Sequence, residues 1–244
     1  MSYTEIKPHH ALALYIDAYW ISEYTHGKLY KTKILPDGCV DIILNLKDDY
    51  KTNDGILLMK SETAYLTGAM TTFKVHIIRA EAKLLGIRFK PAALSYFFKF
   101  QSLHEFTDQN IELEKGMYPN IHEINSLTIA QLNQFFLSKL SKPKHSLLPV
   151  IDYIHQNKGC VNVADLAKKH FTTTRQLERH FQSHVGLSPK EFTNLVRYQF
   201  TYKKIRNNIS NRSLLQIAYE SGYYDHAHLT NEIRKFTGVN PSQL

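Results

Sequence analysis

Apolar and polar residues alternate singly through much of the first 90 positions and then recur at three- and four-residue spacing. In "VDIILNL", Val40, Ile42, Leu44 and Leu46 alternate with Asp41, Ile43 and Asn45; in "FKVHIIRA", Phe73, Val75 and Ile77 alternate with Lys74, His76 and Ile78. A period of two marks pleated strands. Turn chemistry at Pro36–Gly38 ("PDG"), Asn53–Gly55 ("NDG") and Gly68 divides them, so the expectation is a β-rich barrel or sandwich. After "LLGIRFK" the period lengthens. "PAALSYFFKF" predicts a helix with Pro91 in its first turn, followed by Leu94, Phe97 and Phe98. A further helix is expected from about Leu127 to Leu140, carrying Ile129, Leu132 and Phe136. The polar stretch "SKPKH", with Pro143, then reads as a boundary between a domain over 1–141 and a second over 146–244.

From Ser146 the pattern is helix and turn only. "LLPVIDYIHQNKG" is one helix with Gly159 as its stop. Asn162 can cap Val163–His170, and Thr173 with Gln176 is a T-x-x-Q capping box opening the next helix. Two helices joined by a tight turn make a helix-turn-helix pattern. Ser188-Pro189-Lys190-Glu191 is another capping box with Pro at the first helical position, starting a helix to about Asn207. Nineteen residues at ~1.5 Å each span about 28 Å. The pattern then restarts: Ser213 with Gln216 caps a short helix, "SGYY" turns, Asp225 caps another, and Asn240-Pro241-Ser242-Gln243 repeats the capping signature. Leu177, Phe181, Gly186 and Pro189 thus return with the same offsets as Leu229, Ile233, Gly238 and Pro241. Two helix-turn-helix units, each closed by a glycine stop and an X-Pro start, are held apart by one long helix.

Charge sharpens this division. Residues 142–244 carry 15 Lys and Arg against 7 Asp and Glu, whereas residues 1–141 carry 15 against 15, so the whole net charge of +8 lies in the helical part. Cationic side chains near a polyanion release its condensed counterions, which points that part towards nucleic acid. In such units the N-terminal side chains of the second helix face base edges in the major groove. These are Thr174, Arg175, Glu178 and Arg179 in the first unit, with Leu177 and Phe181 pointing inward, and His226, Ala227, His228 and Asn231 in the second. Arg can donate two hydrogen bonds to guanine O6 and N7, and Glu can accept from cytosine N4. The alternative for Arg175 and Arg179 is a solvated face paired with Glu178. The second unit lacks long cationic side chains and is expected to lean on helix N-terminal amides holding phosphates. A spacer of about 28 Å, with the helix widths added, suits successive major grooves about 34 Å apart on duplex DNA.

The remaining chemistry is sparse. Cys39 and Cys160 lie far apart without CxxC spacing, the start "MSYTEIKPHH" has no apolar core of an export signal, and no apolar run of ~18 residues occurs, so a cytoplasmic protein is expected. His226 and His228, two apart on a helix, diverge and make no metal pair. A cupin-like small-molecule-binding protein or metal enzyme with an incidental basic domain is the rival reading. It would need two histidines close on a strand with a Glu and a third His, and the sequence offers only scattered His9, His10, His26, His76, His104 and His122. His76 reads as a half-buried structural residue and Cys39 as a small buried thiol; no catalytic residue, cofactor or metal is assigned. Trp20 and the many tyrosines read as packing, though aromatics lining an apolar pocket are what small-molecule sites use. An RNA-binding module is disfavoured because the basic residues fall in the helical part, not on a sheet.

The last hundred residues resemble the DNA-binding domain of the AraC/XylS family of transcriptional regulators. The resemblance is carried by "DLAKKHFTTTRQLERHFQSHVGLSP", by Arg197 in the linker helix, and by "QIAYESGYYDHAHLTNEIRKFTGVNP". Three positions depart from the family pattern: Leu229 replaces an aromatic, Asn231 an Arg and Ile233 a Phe. The resemblance implies base contacts from Arg175, Glu178 and Arg179 in the first unit and from His226, Ala227, His228 and Asn231 in the second. The first hundred residues are similar, through "LPDGCVDIILNL", "LTGAM" and "LLGIRFKPAALSYFF", to an amino-terminal domain of some such regulators. A β-barrel, cupin-like domain that binds a small-molecule effector is implied there, with a neighbouring helix for homodimerisation. A purely structural or partner-binding domain remains the alternative. The implied protein is α+β, a sequence-specific regulator whose amino-terminal domain alters how the other domain is presented to double-stranded DNA or RNA polymerase.

Overall fold

A computed structural model describes residues 1–25, 27–52, 57–78, 81–120, 128–143, 145–207 and 212–244. The "NDG" turn, His26, His122 and Leu127 lie outside the described residues. Among the described residues ten strands come first: β1 (Ser2–Ile6), β2 (Ile16–Tyr24), β3 (Tyr30–Ile34), β4 (Val40–Asn45), β5 (Tyr50–Thr52), β6 (Leu57–Met59), β7 (Ala64–Thr67), β8 (Lys74–Ile78), β9 (Ala82–Phe89) and β10 (Asn110–Glu112). They form two antiparallel sheets, one in the order β1-β2-β9-β4-β7-β10 and the other β3-β8-β5-β6.

The alternation seen in the sequence decides which core each strand face meets. Val40, Ile42 and Leu44 of β4 are buried with Phe89, Phe97, Leu132 and Phe136 in a core on one side of the larger sheet. The helix closing that side is α1 (Thr128–Lys139). Asp41 and Ile43 look the other way, into the space between the two sheets, where Trp20, Tyr24, Tyr50, Met59 and Leu84 gather. Period two therefore served two separate interiors.

The helix expected after Pro91 is not formed. Only a 3-10 turn at Leu94–Tyr96 appears, because Ala92 takes a left-handed φ of 65° directly after Pro91, which no helix can continue through. Leu94, Phe97 and Phe98 are still buried. Their apolar spacing reflected packing on the sheet, not a helical stripe.

Among the described residues six helices follow: α2 (Leu148–Gln156), α3 (Val163–Lys169), α4 (Thr174–His184), α5 (Pro189–Arg206), α6 (Leu214–Glu220) and α7 (His226–Thr237). They share one core built from Ile154, Leu166, Leu177, Phe181, Phe192, Val196, Ile217, Leu229 and Ile233. Gly159 ends the α2 segment at φ +75°, and a β-carbon there would lie 2.3 Å from the Thr193 carbonyl oxygen and 2.4 Å from the Arg197 nitrogen. Only glycine lets this turn press on the backbone of α5. No helix among the described residues is long and apolar enough to cross a membrane.

Candidate nucleic-acid interface

The caps expected at Asn162, Thr173, Ser188, Ser213 and Asp225 are made, whereas at Asn240 only the backbone amide bonds, donating to Gln243 Oε1, because Arg234 takes the Asn240 side-chain oxygen. The Asn162 side chain accepts from the backbone amides of Ala164 (2.7 Å) and Asp165, opening α3. Thr173 Oγ1 accepts from Gln176 N at 3.1 Å, while Thr173 N donates to Gln176 Oε1 at 3.1 Å, closing the capping box of α4. Ser188 with Glu191 and Ser213 with Gln216 do the same for α5 and α6, and Asp225 Oδ1 accepts from His228 N at 2.7 Å for α7. Satisfying the first-turn amides fixes where each helix begins, and therefore which side chains its first turns present.

On α4, Leu177 and Phe181 are buried in the core, so Thr174, Arg175 and Arg179 fall on the outside and are exposed, with Glu178 half-buried beside them. Among the described residues neither arginine forms an ion pair, and Glu178 accepts instead from Gln182 Nε2 at 3.5 Å. Arg175 and Arg179 thus lie on a solvated face without Glu178 as an ion-pair partner. On α7, Leu229 and Ile233 are fully buried, and His226, Ala227, His228 and Asn231 are exposed. The structure brings each quartet together on the polar face of one helix. Leu229 and Ile233 fill the inner positions as ordinary core residues.

The two units differ at the turn. Phe171 takes a left-handed φ of 53° and projects 99% exposed, whereas Gly222 occupies the corresponding turn between α6 and α7 at φ 74°.

An ion pair that spacing did not reveal ties the linker helix to the second unit. Arg197 Nη2, on α5, donates to both carboxylate oxygens of Glu232 on α7, at 3.3 and 3.1 Å, and to Asn194 Oδ1 at 3.2 Å. Its guanidinium lies 4.5 Å over the Tyr223 ring. The side chains are 11% and 8% exposed. Burial opposes the charge on Arg197, but Glu232 and Tyr223 outweigh it and hold the guanidinium above its ordinary value. The sequence pointed to Arg197 only through the family resemblance, and nothing in spacing marked Glu232 as its partner.

Two helix-turn-helix units on one shared core, joined by an 18-residue helix, define a double helix-turn-helix protein. Residues 166–244 match the family described as "Helix-turn-helix domain", and residues 4–112 match a "Domain of unknown function". An uncharacterized HTH-type transcriptional regulator of Haemophilus influenzae is 24% identical over 225 residues, covering 90% of this chain and 67% of its own length. Among solved structures, ToxT from Vibrio cholerae covers 100% of this chain and 97% of its own at 12% identity with a TM-score of 0.46. An unsaturated-fatty-acid-bound ToxT covers 91% and 92% at 13% identity with a TM-score of 0.42. Residues 166–244 therefore form a helix-turn-helix domain, and the chain as a whole is similar to an HTH-type transcriptional regulator.

The second feature sequence did not show is a cavity of about 530 Å³ between the two sheets. Trp20, Tyr24, Tyr50, Leu57, Met59 and Leu84 make its apolar part; Asp41, Arg88, Lys33, Lys74 and His76 also line it. Trp20 Nε1 donates to Asp41 Oδ1 at 2.7 Å, and Arg88 Nε lies 3.7 Å from the same oxygen. Burial drives the Asp41 carboxyl up, Arg88 pulls it down, and Asp37 adds to the rise, leaving it at about 7. His76 is half-buried, as expected, and burial lowers its pKa. Cys39, also half-buried, lines the same cavity. Among the described residues no three His, Cys, Asp or Glu side chains are placed to hold a metal.

Proposed function

We propose that this chain is a sequence-specific transcription regulator that reads double-stranded DNA in the major groove and is modulated by a small molecule in its amino-terminal cavity. The observation that carries the first part is the pair of capped, outward-facing helix N-termini: Thr174, Arg175, Glu178 and Arg179 on one, His226, Ala227, His228 and Asn231 on the other. Unpaired exposed arginines four residues apart suit bidentate donation to guanine. In this reading the first unit supplies the strong base contacts and the second, with Asn231 and two histidines, adds weaker ones. We place the domain boundary between 1–141 and 146–244. Cytoplasmic residence, contact with RNA polymerase and homodimerisation belong to the same reading, and no catalytic residue, cofactor or metal is assigned.

The cavity supports an effector because it combines apolar aromatic walls with a few polar groups, the usual composition of a small-molecule site. Selection of binding sites from random duplex DNA, at physiological salt to suppress phosphate attraction, tests the first part. Two enriched blocks about one helical turn apart are expected. No enrichment with or without a ligand panel removes the DNA reading. A thermal-shift panel of apolar and amphiphilic compounds, including an unsaturated fatty acid of the kind ToxT carries, tests the second. Failure of every compound to raise the melting temperature leaves the amino-terminal domain a structural one.

A further inference from the structure

The two reading helices end in glycine turns, and both turns rest on the amino-terminal domain. At the end of α4, the Gly186 carbonyl accepts from Thr107 Oγ1 at 2.6 Å and lies 3.0 Å from His104 Nδ1. One turn earlier, Gln182 O accepts from Ser102 Oγ at 3.3 Å. The fit is close: a β-carbon on Gly186 would stand 3.1 Å from the Leu103 carbonyl oxygen. At the end of α7, Thr237 O accepts from Lys33 Nζ at 2.8 Å and Lys235 O from Thr72 Oγ1 at 2.5 Å. The Phe73 ring there fills the space beside Gly238, where a β-carbon would come within 2.5 Å of it.

The two contact regions are not independent. Asp108, in the loop that grips α4, accepts through its carboxylate from Thr71 N (3.0 Å) and Thr71 Oγ1 (2.5 Å), in the loop that grips α7. Asp108 N donates to Ala69 O at 3.0 Å, Gly68 N to Gln109 O at 3.0 Å, and Lys74 Nζ to Asp108 O at 2.6 Å. Residues 68–74 and 102–109 therefore form one hydrogen-bonded platform, and Ala69 is buried in the helical core itself. The outward faces of Arg175, Arg179, His228 and Asn231 stay exposed throughout. The platform's hydrogen bonds take the helix ends, and beside α7 its Met70 and Thr71 line a pocket together with His228 and Asn231.

We propose that the amino-terminal domain is a splint: by seating the carboxy-terminal turns of both reading helices on one bonded platform, it fixes their separation and makes binding selective for the spacing between two DNA blocks. This rests on the DNA-reading proposal above. Thr107, Asp108 and Phe73 act as positioning residues, through Gly186 and Gly238, without touching DNA. Within the helical domain the linker helix, the shared core and the Arg197–Glu232 pair join the units; the platform adds a tie between their far ends, so a change of spacing must also loosen one of its two grips.

The test uses full-length protein and the two-block duplex found by selection, with the spacer altered by one, two and five base pairs. Two variants loosen the grips separately: Thr107→Val at α4 and Phe73→Ala at α7. The wild type is expected to lose at least tenfold in affinity when the spacer changes, and each variant less than threefold, while both keep wild-type affinity for a duplex holding the first block alone. That single-block control, with a cooperative melt, shows that a variant is folded and that α4 still reads DNA. A wild type indifferent to spacing overturns the splint, and so do folded variants that keep the wild-type spacing preference. Absence of any block preference instead removes the DNA reading.

Discussion

Replacing Arg197 by Met should be among the most destabilising single changes in the helical domain. Glu232 is 8% exposed and both its oxygens take their hydrogen bonds from Arg197 Nη2. Met fills much of the volume of the arginine stem and packs against Tyr223, so the loss is chiefly the carboxylate left buried without a cation. Removing one partner of such a pair typically costs about 3–5 kcal/mol. Removing both should cost far less, since apolar side chains of similar size are often neutral replacements for a buried pair. In urea, with a slope of about 2 kcal/mol per molar, the single variant should lose ~1.5–2.5 M in midpoint, and Arg197→Met with Glu232→Leu should recover more than half of that. The reasoning fails if the single variant loses less than about 1 kcal/mol, or if the double variant is no more stable than the single. A second readout follows from geometry: Arg197 ties α5 to α7, so site selection with the single variant should keep the block read by α4 and weaken the other.

Arg175→Ala should weaken specific binding by about 1–3 kcal/mol and relax preference at one base position; an equal loss on every sequence assigns Arg175 to a phosphate instead. Gly159→Ala should destabilise the protein by more than ~1 kcal/mol in urea, because it adds strain at positive φ and sets a methyl group against the α5 backbone; a neutral result refutes the close approach. Asp41, raised to about 7, holds its proton in the folded protein at pH values where the unfolded chain has released it. Stability contributed by the neutral form is present below about pH 4 and declines as pH rises towards 7. Asp41→Asn should flatten that decline, measured as melting temperature from pH 4.5 to 8; a slope equal to the wild type's excludes Asp41 as its source.

The helical domain was legible because its instructions are local. Thr173 with Gln176, Ser188 with Glu191, Ser213 with Gln216 and the caps at Asn162 and Asp225 act within four residues, so reading them in order places five helix starts. The outward position of Arg175 and Asn231 then follows from the inward position of Leu177 and Leu229. The strands were legible as strands, but alternation does not say which face is which interior. Val40, Ile42 and Leu44 pack under α1, and the intervening Asp41 belongs to the cavity. Nor could Ala92, an ordinary residue for a helix, be expected to stop one. The least legible features join distant parts of the chain: Arg197 with Glu232, Phe73 with Gly238, and Thr107 with Gly186.

The seam between the two domains limits how such proteins can be recombined. On the helical side, Gly186 and Gly238 are met within about 3 Å of where a side chain would begin, and on the amino-terminal side Gly38 is met likewise by the Phe192 ring at 2.9 Å. A foreign amino-terminal domain grafted before Ser146 would bring different loops to Gly186 and Gly238 and would replace Gly38 altogether. Unless it carried an aromatic residue shaped for Gly238 and a hydroxyl placed for Gly186, the hybrid would be a tether of two strangers. The amino- and carboxy-terminal domains can therefore be exchanged between relatives only when both sides of the seam travel together.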